Sequence, residues 1–394
     1  MFNTSIRIGL DLFEKNWPKK LRDSRVGLLV HPASVNKKLN HAVNLFIKSK
    51  NFKLKALFGP QHGIRGETQD NMVEWEGFYD SHTKLPVFSL YGYTRKPESA
   101  MLKDVDVMVI DIQDLGSRYY TFIWTMELCM QACQEANKSI VILDRPNPLG
   151  GFTTEGPVLE MSYASFVGQR LLSVRHGMTI GEIGNYFQNE FYPSLDFYVI
   201  PLQRWKRKMW FNETGLPWVM PSPNMPTLDT ATVYPGMCLL EGTNLSEGRG
   251  TTRPFEIFGS PFIEPHKLVN HLKDFKLPGV VFRPMYFKPT FQKHAGKLCG
   301  GGQIHVTDRT KLKPFKTGVG ILKAMHDLYP EIFIWRQPPY EYETEKMPID
   351  VLAGTDRLRT DIENGEDLDQ MEEWWQEQCS QFDKNFGKRY LIYK

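Results

Sequence analysis

Residues 107–147 read VMVIDIQDLGSRYYTFIWTMELCMQACQEANKSIVILDRPN. The run Val107-Met108-Val109-Ile110 is apolar at every position, as a strand buried on both faces of a sheet must be. A polar cluster, Asp111-Ile112-Gln113-Asp114, follows it. A helical stretch from Tyr120 to Asn137 leads to a second apolar run, Ile140-Val141-Ile142-Leu143, which ends on Asp144-Arg145-Pro146-Asn147. Strand, crossover helix and strand in that order predict a βαβ unit with two parallel strands.

The same pattern recurs upstream. Val26-Gly27-Leu28-Leu29-Val30 runs into His31-Pro32-Ala33-Ser34, and Lys55-Ala56-Leu57-Phe58 into Gly59-Pro60-Gln61-His62-Gly63. Val87-Phe88-Ser89-Leu90 runs into Tyr91-Gly92, and a short helix is expected over Asn40 to Lys50. The reading is α/β: a Rossmann-like parallel sheet. No Gly-x-Gly-x-x-Gly follows the first strand, so no dinucleotide or other cofactor is expected. Ligands of open α/β sheets bind beyond the carboxyl ends of the strands. Every polar cluster just named sits there, which brings distant segments onto one cleft.

Downstream, Thr179 with Glu182 three residues on is a capping box opening a helix, and Phe197-Tyr198-Val199-Ile200 reads as a strand. The basic stretch Gln203 to Trp210 reads as a solvated face. Pro217, Pro221, Pro223 and Pro226 suit a crossing between domains rather than the interior of an element. The expected division is residues 1–225, the Rossmann-like domain, and 226–394, a smaller α+β C-terminal domain. The latter has strands at Gly279 to Arg283 and Gln303 to Val306 and helices at Gly318 to Leu328 and Leu368 to Phe382. At 394 residues the chain is too long for one typical core, which fits two domains.

Hydrophobic residues at 41% and charged residues at 24% describe an ordinary folded protein, and a net charge of +3 gives no reason to expect nucleic acid. The 5 cysteines show no zinc spacing and read as free buried thiols in a reducing compartment; no metal is expected. Met1 to Leu10 lacks a basic region followed by roughly 7–15 apolar residues, and no run of about 18 apolar residues occurs. The chain as given therefore reads as soluble, without membrane association and cytoplasmic, or periplasmic or extracellular if a leader has been removed.

Chemistry concentrates in a few segments. Leu240 to Glu256 holds three acids (Glu241, Glu247, Glu256), two arginines (Arg249, Arg253), Asn244 and three glycines. Glycine admits close backbone approach to a ligand, and arginine offers a planar fork for a carboxylate or phosphate. A surface loop with ordinary ion pairs is the competing reading. His62 lies just past a strand end, where it serves either packing or chemistry. Asp111, Gln113, Asp114 and Arg118 form a third cluster, in which Asp111 is an acid or base or else the partner of Arg118 or Arg145. Arg145 with Asn147, Arg175 with His176, and Asn224 complete the set. No Gly-x-Ser-x-Gly elbow, phosphate loop or metal-spaced His pair is present. The residues alone lead to an α/β hydrolase-like enzyme, or a binding protein, for a polar and anionic ligand.

Several longer motifs are more specific. They are Gly59-Pro60-Gln61-His62-Gly63, Asp111 to Thr121, Leu143 to Gly151, Glu155-Gly156-Pro157, Arg175 to Glu182, Pro221 to Thr227 and Glu241 to Thr252. Together they resemble the NamZ-type exo-β-N-acetylmuramidases over nearly the whole chain. The resemblance implies a cleft between the two domains and release of N-acetylmuramic acid from the non-reducing ends of peptidoglycan fragments. The partner is then a small muropeptide or amino-sugar substrate; no oligomeric state is implied. Muramic acid carries a lactyl carboxylate, and a buried anion needs cationic or multi-donor partners. Arg118, Arg175, Arg249 and Arg253 are the candidates, with Asp114, Arg145, Asn147, His176, Asn224 and Asn244 as further substrate contacts.

The chain departs from the resemblance at one position. Where such proteins have Gly-Pro-Glu-His-Gly, with that Glu the proposed catalytic carboxylate, this chain has Gln61. An amide neither ionises nor gives up a proton as an acid. The expected acid is therefore Glu247 or Glu241, with Glu67 and Asp111 as further possibilities, His62 and Asp111 as polar support, and Gln61 positioning water or the acetamido group. The alternative is a weakly active or non-catalytic muropeptide-binding protein.

Overall fold

The structure is a computed structural model that describes residues 6–70 and 72–394; the N-terminal reading over Met1–Ser5 lies outside the described residues. The first half contains helix α1 (Gly9–Asn16), strand β1 (Arg25–Val30), helix α2 (Ala42–Phe46), β2 (Lys53–Gly59), β3 (Phe78–Asp80), β4 (Leu85–Ser89), β5 (Val107–Asp111), α3 (Phe122–Glu135) and β6 (Ser139–Leu143). The paired strands β7 (Glu155–Val158) and β8 (Ser173–Arg175), then α4 (Ile180–Phe191) and β9 (Phe197–Ile200), follow. Seven strands form one sheet in the order β3-β4-β2-β1-β5-β6-β9, parallel throughout except for β3.

The all-apolar runs account for this sheet. Leu28 on β1 faces Leu57 on β2 and Val109 on β5 across the ladders, and all three are buried. The strand sequence proceeds one way through β1, β2 and β4 and the other way through β1, β5, β6 and β9. That reversal opens a crevice at the strand carboxyl ends.

The second half begins with α5 (Leu228–Met237) and a 3₁₀ turn over Cys238–Gly242. It continues with β10 (Ile257–Ser260), α6 (Pro265–Asp274), β11 (Val280–Phe287), β12 (Cys299–Val306), α7 (Pro314–Leu328), α8 (Pro348–Ala353), α9 (Arg357–Glu363) and α10 (Leu368–Asn385). The strands form an antiparallel sheet in the order β10-β12-β11. Helices α5 and α7 touch backbone to backbone. A Cβ on Gly236 would lie 1.8 Å from the Pro314 carbonyl oxygen, so glycine is required for this crossing. The crossing fixes the 3₁₀ turn that carries Glu241.

The two halves share one apolar cluster that runs from Leu29 to Tyr390. The C-terminal residues return to the first half, where Glu182 accepts hydrogen bonds from the Ile392 and Tyr393 amides at 2.9 and 3.2 Å. Two local expectations change. The helix expected over Asn40 to Lys50 is confined to Ala42–Phe46, capped by the His41 ring, which accepts from the Val43 amide. The basic stretch 203–210 is not wholly solvated, because Arg207 is buried against Glu182 at 2.7 Å. All 5 cysteines are buried and unpaired, and no helix among the described residues is long and apolar enough to cross a membrane.

Candidate active site

Beyond β2 the chain turns sharply through Pro60-Gln61-His62, with His62 in the left-handed region at φ 69°. Its Nδ1 lies 2.8 Å from the Thr68 carbonyl, which only accepts. The proton is therefore on Nδ1, and Nε2 is the accepting nitrogen. Burial lowers the His62 pKa to about 4, so the ring is neutral at pH 7. Gln61 is buried and held at both ends. Thr121, at the start of α3, donates to its Oε1 at 2.7 Å, and its Nε2 donates to the Tyr91 hydroxyl at 3.1 Å. Tyr91 follows β4, so two strand ends and the start of α3 meet here.

The second half supplies the charges. Arg249 lies 2.6 Å from Glu241 and 3.2 Å from Glu247, and Lys293 lies 3.1 Å from Glu247. Lys293 also donates to the Leu240 and Leu245 carbonyls at 2.8 and 2.9 Å. Tyr340 donates to the second oxygen of Glu241 at 2.8 Å. Burial alone would raise the Glu241 carboxyl, but the guanidinium and the Tyr340 hydroxyl outweigh it and hold the group below its ordinary value. Two carboxylates and two cations thus form a buried, charge-balanced cluster.

Glu341 follows Tyr340 on the loop between α7 and α8. It is only 4% exposed and accepts from the Tyr91 hydroxyl at 2.9 Å. Burial raises its pKa to about 7, with the Glu241 charge adding to the rise and the Tyr91 hydroxyl opposing it. Gln61, His62, Tyr120, Asn224, Glu241, Arg249 and Glu341 line one narrow cavity of about 40 Å³ between the halves. It therefore contains one carboxyl held ionised and one that keeps a proton near neutrality. Such a pair can deliver a proton to a leaving oxygen and steady positive charge at the adjoining carbon.

Of the residues expected from sequence, Gln61, His62, Asn224, Glu241 and Arg249 meet at this cavity, and Glu247 stands directly behind Arg249. Asn224 is itself fixed by Gln69, donating to its carbonyl at 2.8 Å. The others lie elsewhere, for reasons visible in their bonding. Asp111 is wholly buried against Arg145, with two contacts at 2.6 and 2.9 Å, so it is structural rather than an acid or polar support, and Arg145 is its partner rather than Arg118. Arg118 donates to the carbonyls of Pro157, Leu172, Leu352 and Ala353 and does not line this cavity. Asp114 accepts from the Gly116 amide at 2.6 Å and sits 3.2 Å from His176. Asn147 bridges the Met178 carbonyl and the Leu149 amide, and Arg175 donates to the Leu149 carbonyl at 2.8 Å. Asn244 ties down the chain at Ile332 and Ile334. Arg253 is half exposed and paired with Glu256 at 3.0 Å, and Glu67 is exposed outside the cavity. Sequence reasoning missed Tyr91, Thr121, Lys293, Tyr340 and Glu341.

A parallel α/β sheet with a carboxyl-lined cavity closed by a second α+β unit defines the class: an enzyme of the glycoside hydrolase kind, whose chemistry runs on carboxyl groups. Comparison with known proteins is more specific. The family models described as exo-beta-N-acetylmuramidase NamZ, N-terminal and C-terminal, match residues 26–229 and 232–393. The chain is 46% identical over 388 residues to the peptidoglycan beta-N-acetylmuramidase NamZ of Bacillus subtilis (strain 168), covering 98% of this chain and 91% of that protein. Crystal structures of two DUF1343 family proteins from Bacteroides fragilis NCTC 9343 are similar in fold. One has a TM-score of 0.89 at 34% identity over 100% of both chains, the other 0.77 at 29% identity over 99% of both. The chain belongs to the NamZ family of exo-β-N-acetylmuramidases.

Proposed function

We propose that this protein is an exo-acting glycoside hydrolase that releases N-acetylmuramic acid from the non-reducing ends of peptidoglycan fragments. The observation that carries this reading is the cavity with Glu241 and Glu341 in opposed electrostatic settings. Two carboxyls driven apart in pKa divide acid and charge-stabilising roles, a division that suits hydrolysis of an amino-sugar glycoside. The walls come from both halves and converge on one narrow cavity rather than lining an open groove, which suits an exo mode.

Of the four arginines considered for the lactyl carboxylate, Arg249 is the one that borders the cavity. In this reading Arg249 contacts the lactyl group, Asn224 binds a hydroxyl or the acetamide, and neutral His62 accepts a hydroxyl hydrogen bond. The test is chromophore release from para-nitrophenyl β-N-acetylmuraminide compared with the β-N-acetylglucosaminide. Turnover of the first at a kcat/KM at least tenfold above the second supports the reading. Binding of the muraminide without release would make the protein a binding module instead.

A further inference from the structure

We propose that Glu341 is the general acid of this chain, held by Tyr91 and Gln61 in the role that an amide at position 61 cannot itself fill. The proposal rests on the glycosidase reading above and names its proton donor.

Three observations converge. Hydrogen bonds run in one direction from Thr121 to Gln61, from Gln61 to Tyr91 and from Tyr91 to Glu341, at 2.7, 3.1 and 2.9 Å. Gln61 therefore serves the carboxyl at its far end instead of being one. Second, Glu241 and Glu247 are both matched by Arg249 or Lys293, whereas among the described residues no cation pairs with Glu341. A paired carboxylate is a poor proton donor, which removes the two acids favoured by sequence. Third, Glu341 and Tyr342 both occupy the left-handed region, at φ 44° and 69°, which costs non-glycine residues conformational energy. The loop is held there from both sides. Tyr340 bonds Glu241, and the Tyr342 ring stacks on the Arg95 guanidinium at 3.3 Å while its hydroxyl donates to Glu74 at 3.2 Å. The strained turn fixes Glu341 at the cavity wall. Burial, which outweighs the more distant charge of Arg249, then keeps its proton in place close to neutral pH.

The chemistry balances as hydrolysis. Glu341 gives its proton to the glycosidic oxygen. The C1–O bond breaks with its electron pair remaining on that oxygen, and the aglycone leaves as an alcohol. The substrate's own acetamido oxygen bonds C1 to form a cationic ring. Water then bonds C1, opens that ring and returns a proton to the Glu341 carboxylate.

An acid is needed most where the leaving group is poor, and this separates its role from a structural one. The experiment measures kcat and KM of wild type and Glu341→Gln on a muramyl disaccharide and on para-nitrophenyl β-N-acetylmuraminide, whose phenolate leaves without protonation. We expect kcat on the disaccharide to fall by about 10²–10⁴-fold, kcat on the nitrophenyl substrate to fall by less than about tenfold, and KM to change little. A second variant, Gln61→Glu with Glu341→Gln, places a carboxyl at the other end of the same chain of hydrogen bonds. It should recover disaccharide turnover by about tenfold or more over Glu341→Gln. Equal losses on both substrates, or no loss on the disaccharide, would overturn the assignment of Glu341. Failure of wild type to turn over either substrate would instead overturn the glycosidase reading on which it rests.

Discussion

Tyr91 and Glu341 come from opposite halves of the chain and meet at 2.9 Å, the phenol O–H donating to the carboxylate. Tyr91 follows a strand of the parallel sheet, and Glu341 lies on a loop of the second half. The bond favours the ionised carboxyl, since a hydrogen bond to the charged form stabilises that form. Tyr91→Phe should therefore move the alkaline limb of the kcat/KM profile upward by about one pH unit. A titration of the initial rate between pH 5 and 9 reads this directly; an unmoved limb would show that Tyr91 does not act on the titrating group.

The wild-type profile has its own expected sign. Glu341 faces Tyr91, Gln61, Glu241 and Arg249, and its pKa stands at about 7. A general acid must be protonated, so activity on a sugar aglycone should fall as pH rises through about 7. Stability follows the same group. A carboxyl raised above its unfolded value supports the fold fully below about 4.5 and loses that contribution as pH climbs through about 7. Glu341→Gln should accordingly be more stable than wild type at pH 8, by up to about 3 kcal/mol, with the advantage fading by pH 5. Urea unfolding at the two pH values measures it.

Arg249 holds two buried carboxylates, and removing it takes the cation from Glu241 and leaves Glu247 with Lys293 alone. Arg249→Met should destabilise the fold by about 3–5 kcal/mol. Arg249→Lys keeps a charge but loses the planar fork, so it isolates recognition from folding. We expect its preference for muramyl over glucosaminyl substrates to drop by about tenfold or more. An unchanged ratio would place lactyl recognition elsewhere.

Arg118 provides the contrast. Its guanidinium satisfies four backbone carbonyls drawn from both halves. Arg118→Met should lower unfolding stability by at least about 3 kcal/mol while leaving KM of the folded protein within about twofold of wild type. A selective rise in KM with unaltered stability would return Arg118 to the binding site.

The parallel sheet was legible because strands buried on both faces need continuous apolar runs, and β1, β2, β5 and β6 have them. The strand-end rule located Gln61 and His62 for the same reason. The richness of residues 240–256 in glycine and charge located Glu241 and Arg249. Residue type alone did not separate Arg249 from Arg118, since both are buried guanidiniums and only the partners differ. Asp111 sits at a strand end like Gln61, yet the side chain opposite it is Arg145, a pairing that only the ladder between β5 and β6 brings about. Glu341 was invisible. It lies in a loop after Pro338 and Pro339 with no periodicity, and its significance comes from Tyr91, which the fold carries to it across 250 residues of chain.

The most direct test of the central claim is product analysis. Peptidoglycan fragments bearing N-acetylmuramic acid at the non-reducing end would be incubated with the wild-type protein and resolved by mass spectrometry over time. The account predicts free N-acetylmuramic acid as the first product, with the remaining fragment shortened by that one sugar. Internal fragments as first products, or none at all despite measurable binding, would contradict it.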